Sequence, residues 1–243
     1  MVAETLDTVP AALAGPGFAF VAGAALRERL GASGRLTDWE AFAASWNDLR
    51  VDPYMADGGR YRRRRHAVYA ASPAGIVRGP HQAHYQTLEY NRLHGGIARW
   101  FEPIEPAIGA GPTLGAILET SRSLFEAVSA ARQWHVEAHQ FRIEARAAVH
   151  GRPTPEGVHR DGVDYVIVLL VDRVNVTSGT TSVHALDGRE LGSFTLTSPL
   201  DAALLDDRRV AHGVTEIAPL DPSRPSHRDV LVVTWKALDA ALG

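Results

Sequence analysis

Val163 to Val171 is a nearly continuous apolar run rich in β-branched residues, and it constrains the fold more than any other stretch of this chain. Such a run is expected of a buried strand. It does not stand alone. Shorter strand candidates follow at Thr181–Leu186, Glu190–Thr197, Ala202–Leu205 and Val210–Ile217, and a last one runs from Asp229 to Trp235. Turn signals separate them at Ser178-Gly179, Asp187-Gly188, Ser198-Pro199 and Asp221–Pro225. Short strands at roughly ten-residue spacing predict an antiparallel sandwich or barrel from residue 134 onward.

The first half has a different texture. Residues 1–50 predict a helical cap. Thr37-Asp38-Trp39-Glu40 has capping-box spacing, and Trp39, Phe42, Ala43, Trp46 and Leu49 then recur at helical intervals. A second helix is expected after Pro112-Thr113, with Leu114, Ile117, Leu118, Phe125 and Val128 as its apolar stripe. Both are expected to be packing elements. The run Arg62-Arg63-Arg64-Arg65 admits a phosphate-binding patch. The favoured reading is a strand that places arginines on both faces beside acidic partners. Gly109 to Gly115 has the wrong spacing for a phosphate loop and contains Pro112.

At 243 residues and 45% hydrophobic content, the chain suits a single domain. No run of 18 apolar residues is present, and the N-terminus lacks a basic region followed by an apolar one, so a cytoplasmic protein with no membrane partner is expected. The net charge of −3 argues against a broad nucleic-acid surface. There is no cysteine, which removes disulfides, thiolate nucleophiles and thiolate metal ligands. A metal would have to be held by histidine and carboxylate.

His159-Arg160-Asp161 offers both, because residues two apart on a strand share a face. His212 lies 51 residues beyond Asp161, far enough to return on another strand. Gly213 after it permits close backbone approach. Two imidazoles and one carboxylate with open positions suit non-heme Fe(II) better than structural zinc, which wants four protein ligands. Catalytic zinc stays compatible with the same ligand types. A dicarboxylate chelating such an iron also needs a cation for its far end, a role that suits arginine. Arg228, at the opening of the last strand, is preferred to Arg224, which sits in the loop Asp221–Pro225.

The segment from Pro155 to Val166, containing His159 and Asp161, resembles the iron-binding segment of bacterial Fe(II)/2-oxoglutarate dioxygenases related to L-isoleucine dioxygenase. Pro199 to Asp207, Val210 to Thr215 and Arg228 to Trp235 match the same pattern in order, and Tyr90 to Phe101 is similar to a further family segment. The resemblance covers residues 60–236. One departure is Ser178-Gly179, where relatives carry Gly-Gly.

The resemblance implies a double-stranded β-helix (jelly roll) core with flanking helices. It implies His159, Asp161 and His212 as iron ligands, Arg228 on the distal carboxylate of 2-oxoglutarate, and O₂ as the other cosubstrate. It further implies hydroxylation of an unactivated C–H bond in a free aliphatic L-amino acid, with release of succinate and CO₂. An N-substituted amino acid or a biosynthetic intermediate is the alternative substrate, and a non-catalytic jelly-roll binding module is the less favoured alternative. Gln140 and Arg142, on a polar stripe of the strand 140–146, and Tyr165, on the parity of His159 and Asp161, are candidate substrate residues. For Tyr165 a buried packing role competes. His81, His84, His94, His135, His139, His150, His184 and His227 show no partner pattern and are read as surface or packing histidines.

Overall fold

The computed structural model describes residues 3–32, 34–55, 58–87 and 96–238. Helices are α1 (Val9–Ala14), α2 (Gly23–Gly31), α3 (Trp39–Ala44), α4 (Pro106–Gly109) and α5 (Pro112–Glu126), with a 3₁₀ turn at Ser45–Asp48. Strands are β1 (Phe18–Val21), β2 (Arg50–Val51), β3 (Arg62–Ser72), β4 (Gly75–Arg78), β5 (Trp134–Ala145), β6 (Tyr165–Val174), β7 (Val176–Ser178), β8 (Thr180–Ala185), β9 (Glu190–Thr195), β10 (Ala202–Asp206), β11 (Val210–Val214), β12 (Ile217–Pro219) and β13 (Ser226–Ala237).

Eight strands form the main sheet in the order β1-β10-β6-β13-β5-β3-β2, with β4 also paired to β3. Every pair in it is antiparallel. A second sheet, β11-β8-β9, faces it, and a small pair, β12-β7, closes one end. The fold is mainly β, with the helices outside one face of the main sheet.

Alternation along the strands divides that sheet into two surfaces. Tyr165, Ile167, Leu169, Leu231, Val233, Trp235, Trp134, Val136 and Ala138 pack on Phe42, Trp46, Leu114, Ile117 and Phe125 of the helical layer. Tyr165 stacks on Phe125 with ring centroids 4.7 Å apart. The opposite parity gives Val166, Leu170, Ala203, Leu205 and Val230, which pack on Val183, Phe194, Leu196 and Val210 between the sheets.

Two expectations about the N-terminal region need correction. The cap is not purely helical, because Phe18–Val21 joins the main sheet as its edge strand, in register with Ala202–Leu205. The capping box does not form either. Asp38 is the residue before α3, but its side chain makes no cap there. Its carboxylate instead accepts the backbone N–H of Thr113 (2.9 Å) and the Thr113 hydroxyl at the start of α5. Gly111 is required by this contact: a Cβ there would stand 2.3 Å from the Asp38 carboxylate. The glycine-rich stretch therefore receives a carboxylate from its own chain.

The four arginines pair with acidic neighbours on both faces of β3. Arg62 meets Asp52 at 2.8 Å, Arg63 meets Glu144 at 2.6 Å, and Arg65 meets Asp48 at 2.6 Å and Glu105 at 2.8 Å. Ser178 adopts a left-handed backbone (φ 55°), followed by Gly179 (φ 73°), so the Ser-Gly departure is a turn in which serine takes a conformation that glycine reaches with less strain. Asp38→Ala is expected to cost about 0.5–2 kcal/mol in denaturant unfolding, through loss of the cap on α5. Glu40→Gln, at the position a capping box would use, is expected to leave stability unchanged.

Candidate metal centre

His159 precedes β6 in a loop that pairs with β11 through a single antiparallel bridge. The backbone N–H groups of His159 and His212 each donate to the other's carbonyl at 2.9 Å. Such direct partners place their side chains on the same face. Gly213 eases the close approach, since a Cβ there would lie 3.2 Å from Val158 Cα and Val158 would have to give slightly. The pairing brings the two rings to a 4.7 Å centroid separation.

Asp161 joins them: its carboxylate lies 3.6 Å from His159 Nε2 and 3.9 Å from His212 Nε2. The donor atoms of all three residues lie within 4.8 Å of one another. His159 Nδ1 donates to the Gly157 carbonyl at 3.0 Å, which leaves Nε2 to face the cluster.

Asp207 fixes the loop that carries Asp161. It is buried, and its carboxylate accepts the N–H groups of Asp161 (2.9 Å), Gly162 (2.8 Å) and Val163 (3.1 Å). Gln86 approaches from another segment and donates to the Asp161 carbonyl at 3.2 Å.

Burial works against every charge here. For Asp161 it is outweighed by the hydrogen bond and charge of His159 and the charge of His212, which hold the carboxylate below its ordinary range. His159 is lifted to about 9 despite burial, by Asp161, Glu156 and the Gly157 carbonyl. His212 falls to about 4 through burial and the charge of His159. Asp207 rises to about 7 through burial and the Asp161 charge, against its three N–H donors.

The cluster opens on a cavity of about 340 Å³ between the two sheets. Arg228 lines the same cavity from β13 and is buried, with Nε and Nη2 lacking any hydrogen-bond partner among the described residues. Burial and the charge of Arg173 lower it to about 10, in spite of Asp229. A desolvated guanidinium with free N–H groups is prepared for a carboxylate. Arg224 lies exposed in its loop.

The other expected substrate residues do not reach this cavity. Gln140 donates to Ser45 Oγ (2.7 Å), and Arg142 grips Asp229 (2.8 and 2.6 Å) and Asn47 (3.0 Å). Tyr165 stacks under α5 and accepts a hydrogen bond from Arg208 (2.7 Å). All three share the parity of residues that pack on the helices, so the pleat turns them away.

The cavity wall on β5 is instead His135, Glu137, His139, Phe141 and Ile143. His84, His135 and His139 are therefore cavity residues, contrary to their reading as surface or packing histidines. His94 and residues 90–95 of the family-like segment lie outside the described residues. A buried group of His66, His84, Glu137 and His139 also has donor atoms within 4.8 Å of one another, the spacing of a metal-binding cluster.

Asp207→Ala removes the acceptor of three N–H groups beside a ligand. It is expected to weaken divalent-metal binding about 10- to 100-fold in a Co(II) titration, while Asp207→Asn retains part of the affinity.

A family model for 2OG-Fe dioxygenases matches residues 43–234. The chain is 24% identical over 205 residues to 3(1)-hydroxy-L-isoleucine 4-dioxygenase of Pantoea ananatis, covering 83% of this chain and 82% of that protein. Among solved structures, a bsmA homologue from Methylobium petroleophilum PM1 is 37% identical, with a TM-score of 0.88 over 97% of this chain and 94% of that one. IDO from Bacillus thuringiensis shares the fold, with a TM-score of 0.78 at 15% identity over 98% of each chain. No helix is long and apolar enough to cross a membrane among the described residues. The match over most of its length establishes that the chain belongs to the 2OG-Fe dioxygenase family, enzymes that use Fe(II), 2-oxoglutarate and O₂.

Proposed function

We propose that this dioxygenase hydroxylates an unactivated C–H bond of a free aliphatic L-amino acid, releasing succinate and CO₂. His159, Asp161 and His212 would hold the iron, and Arg228 would meet the distal carboxylate of 2-oxoglutarate. The observation that carries the reading is the shared cavity: a converging His-Asp-His set and a buried guanidinium, whose Nε and Nη2 have no hydrogen-bond partner among the described residues, line one space. The donor set fits Fe(II), since two imidazoles and one carboxylate leave positions open on the cavity side.

Bound there, Fe(II) with 2-oxoglutarate and O₂ would supply the oxidising chemistry. The protein's own groups do the positioning. The Gly157 carbonyl orients the His159 ring, and Asp207 holds the backbone that presents Asp161. Phe141, Val168, Ala203, Val230 and Val232 give the cavity an apolar wall that accepts an aliphatic side chain and excludes water. The amino acid in the name of the Pantoea relative supports the substrate class.

The second reading, an N-substituted amino acid, draws on the basic wall formed by Arg62, Arg64 and Arg99. Arg62 is paired with Asp52 at 2.8 Å, Arg64 donates to His139 at 2.8 Å and lies 3.8 Å from the same Asp52, and Arg99 donates to Gln86 at 2.8 Å. Bonds to uncharged partners leave positive charge on this wall, and that charge is the observation behind the second reading. Comparing succinate release with free and N-succinylated leucine separates the two.

His212→Ala is expected to abolish both succinate release in air and the visible charge-transfer band formed anaerobically with Fe(II) and 2-oxoglutarate. Full turnover in that variant would remove His212 from the ligand set. Arg228→Met is expected to raise the KM for 2-oxoglutarate about 10- to 100-fold, the value of a charge-assisted contact, with a smaller change in the substrate KM.

A further inference from the structure

Beside the apolar residues, on the same face of the main sheet, the cavity wall carries an anion held in an unusual way. Glu137 Oε2 accepts from His84 Nδ1 at 2.6 Å and lies 3.3 Å from His139 Nε2 and 3.7 Å from His66 Nε2. Burial lowers all three imidazoles. His84 hydrogen-bonds the carboxylate and His139 stands next closest, while neither ring nitrogen of His66 has a hydrogen-bond partner among the described residues. The tautomer of His139 is set by Arg64, which can only donate: its Nη2 stands 2.8 Å from Nδ1, so the ring proton sits on Nε2 and points at Glu137. A ring protonated at Nε2 is a donor to the carboxylate and has no lone pair there for a metal. This hydrogen bonding favours a carboxylate cage over a second metal site.

Glu137 therefore keeps its charge, and no lysine or arginine lies within ion-pair distance of it among the described residues. Its other oxygen, Oε1, meets only the half-exposed His135, at 3.4 Å. Burial is outweighed by hydrogen bonds from the surrounding rings, which hold its carboxyl well below the ordinary carboxylate range, so a fixed anion with no lysine or arginine in ion-pair distance among the described residues faces the cavity and can accept a cation.

Arg99 stands beside it. The backbones of His84 and Arg99 pair as an antiparallel bridge at 2.9 Å in both directions. Arg99 Nη2 donates to Gln86 Oε1 at 2.8 Å, and the same Gln86 donates to the carbonyl of Asp161. Arg99 is buried and lines the cavity, and its Nε has no partner among the described residues.

We propose that Glu137 and Arg99 form a clamp for the zwitterionic head group of the substrate, Glu137 accepting the ammonium and Arg99 meeting the carboxylate. The proposal rests on the amino-acid reading above and assigns the head group to a wall that the sequence left unread. Gln86 ties the clamp to the loop carrying Asp161, so the head group is held at a set position relative to the candidate metal ligands.

Calorimetry under argon, on protein loaded with Fe(II) and 2-oxoglutarate, tests it with three probes: L-leucine, isoamylamine (no carboxylate) and 4-methylpentanoate (no ammonium). Glu137→Gln is expected to weaken L-leucine and isoamylamine about ten-fold or more and to leave 4-methylpentanoate unchanged, with the charge-transfer band intact. Glu137→Asp, which keeps the charge, is expected to recover part of the loss.

A wild-type comparison needs no variant: N-acetyl-L-leucine is expected to bind at least about ten-fold more weakly than L-leucine. Unchanged isoamylamine affinity in Glu137→Gln, equal wild-type affinity for L-leucine and 4-methylpentanoate, or no binding of any probe overturns the clamp. So does a second metal ion per chain that disappears in Glu137→Gln. The reaction assignment fails separately: amine binding that depends on Glu137, with no succinate after admission of air, keeps the ammonium subsite and rejects the hydroxylation.

Discussion

β13 is paired along nearly its whole length on both sides, with β5 and with β6, and most other features of the molecule follow from that double pairing. A strand held on both edges cannot shift by one residue without exchanging its two faces. One face is committed by Leu231, Val233 and Trp235, which are buried under the helices. The other then has to present Arg228, Val230 and Val232 to the space between the sheets. The neighbours inherit the same division, so the helical layer determines which side chains the cavity receives. A register shift between Asp229 and Val230 against β6 falls next to Arg228 and is the one irregularity along this pairing.

The cavity collects charges that the fold leaves partly unanswered. Arg228 is desolvated, with Nε and Nη2 lacking hydrogen-bond partners among the described residues, and Glu137 is an anion held by imidazoles with no lysine or arginine in ion-pair distance among those residues. A desolvated guanidinium with orphaned N–H groups costs stability. The same cost is recovered when complementary charge enters, which makes such groups effective at selecting ligands. Arg142 and Asp229 provide the contrast. They satisfy each other on the helix side of the sheet, and nothing is left over for a ligand.

The candidate metal centre was largely legible in the sequence, because its signal is local. His159 and Asp161 are two residues apart, and Gly213 beside His212 announced a close backbone approach that the structure shows against Val158. The strand-rich second half was legible for the same reason, through alternation and turn residues. The substrate wall was misread because β5 changes character along its length. Over residues 140–146 alone, Gln140 and Arg142 form a polar stripe that could face the interior, with Phe141 and Ile143 on the other side. The strand begins earlier, at Trp134, where Trp134, Val136 and Ala138 are the apolar set of the opposite parity. Reading from Trp134 would have assigned Glu137 and His139 to the cavity and Gln140 and Arg142 to the helical side. The partner of Asp38 was invisible for another reason: it lies 75 residues away, and no local spacing encodes it.

Asp207 sits in the turn between β10 and β11 and gathers three backbone N–H groups of the segment that follows His159. The loop carrying the carboxylate is thus shaped by a side chain that reaches it from another turn. In small zinc domains the ion organises the chain, and its loss is unfolding. Here a side chain of the chain itself makes the hydrogen bonds that shape the loop, so the backbone beside Asp161 is tied to the turn between β10 and β11 and not only to its own ligand side chain.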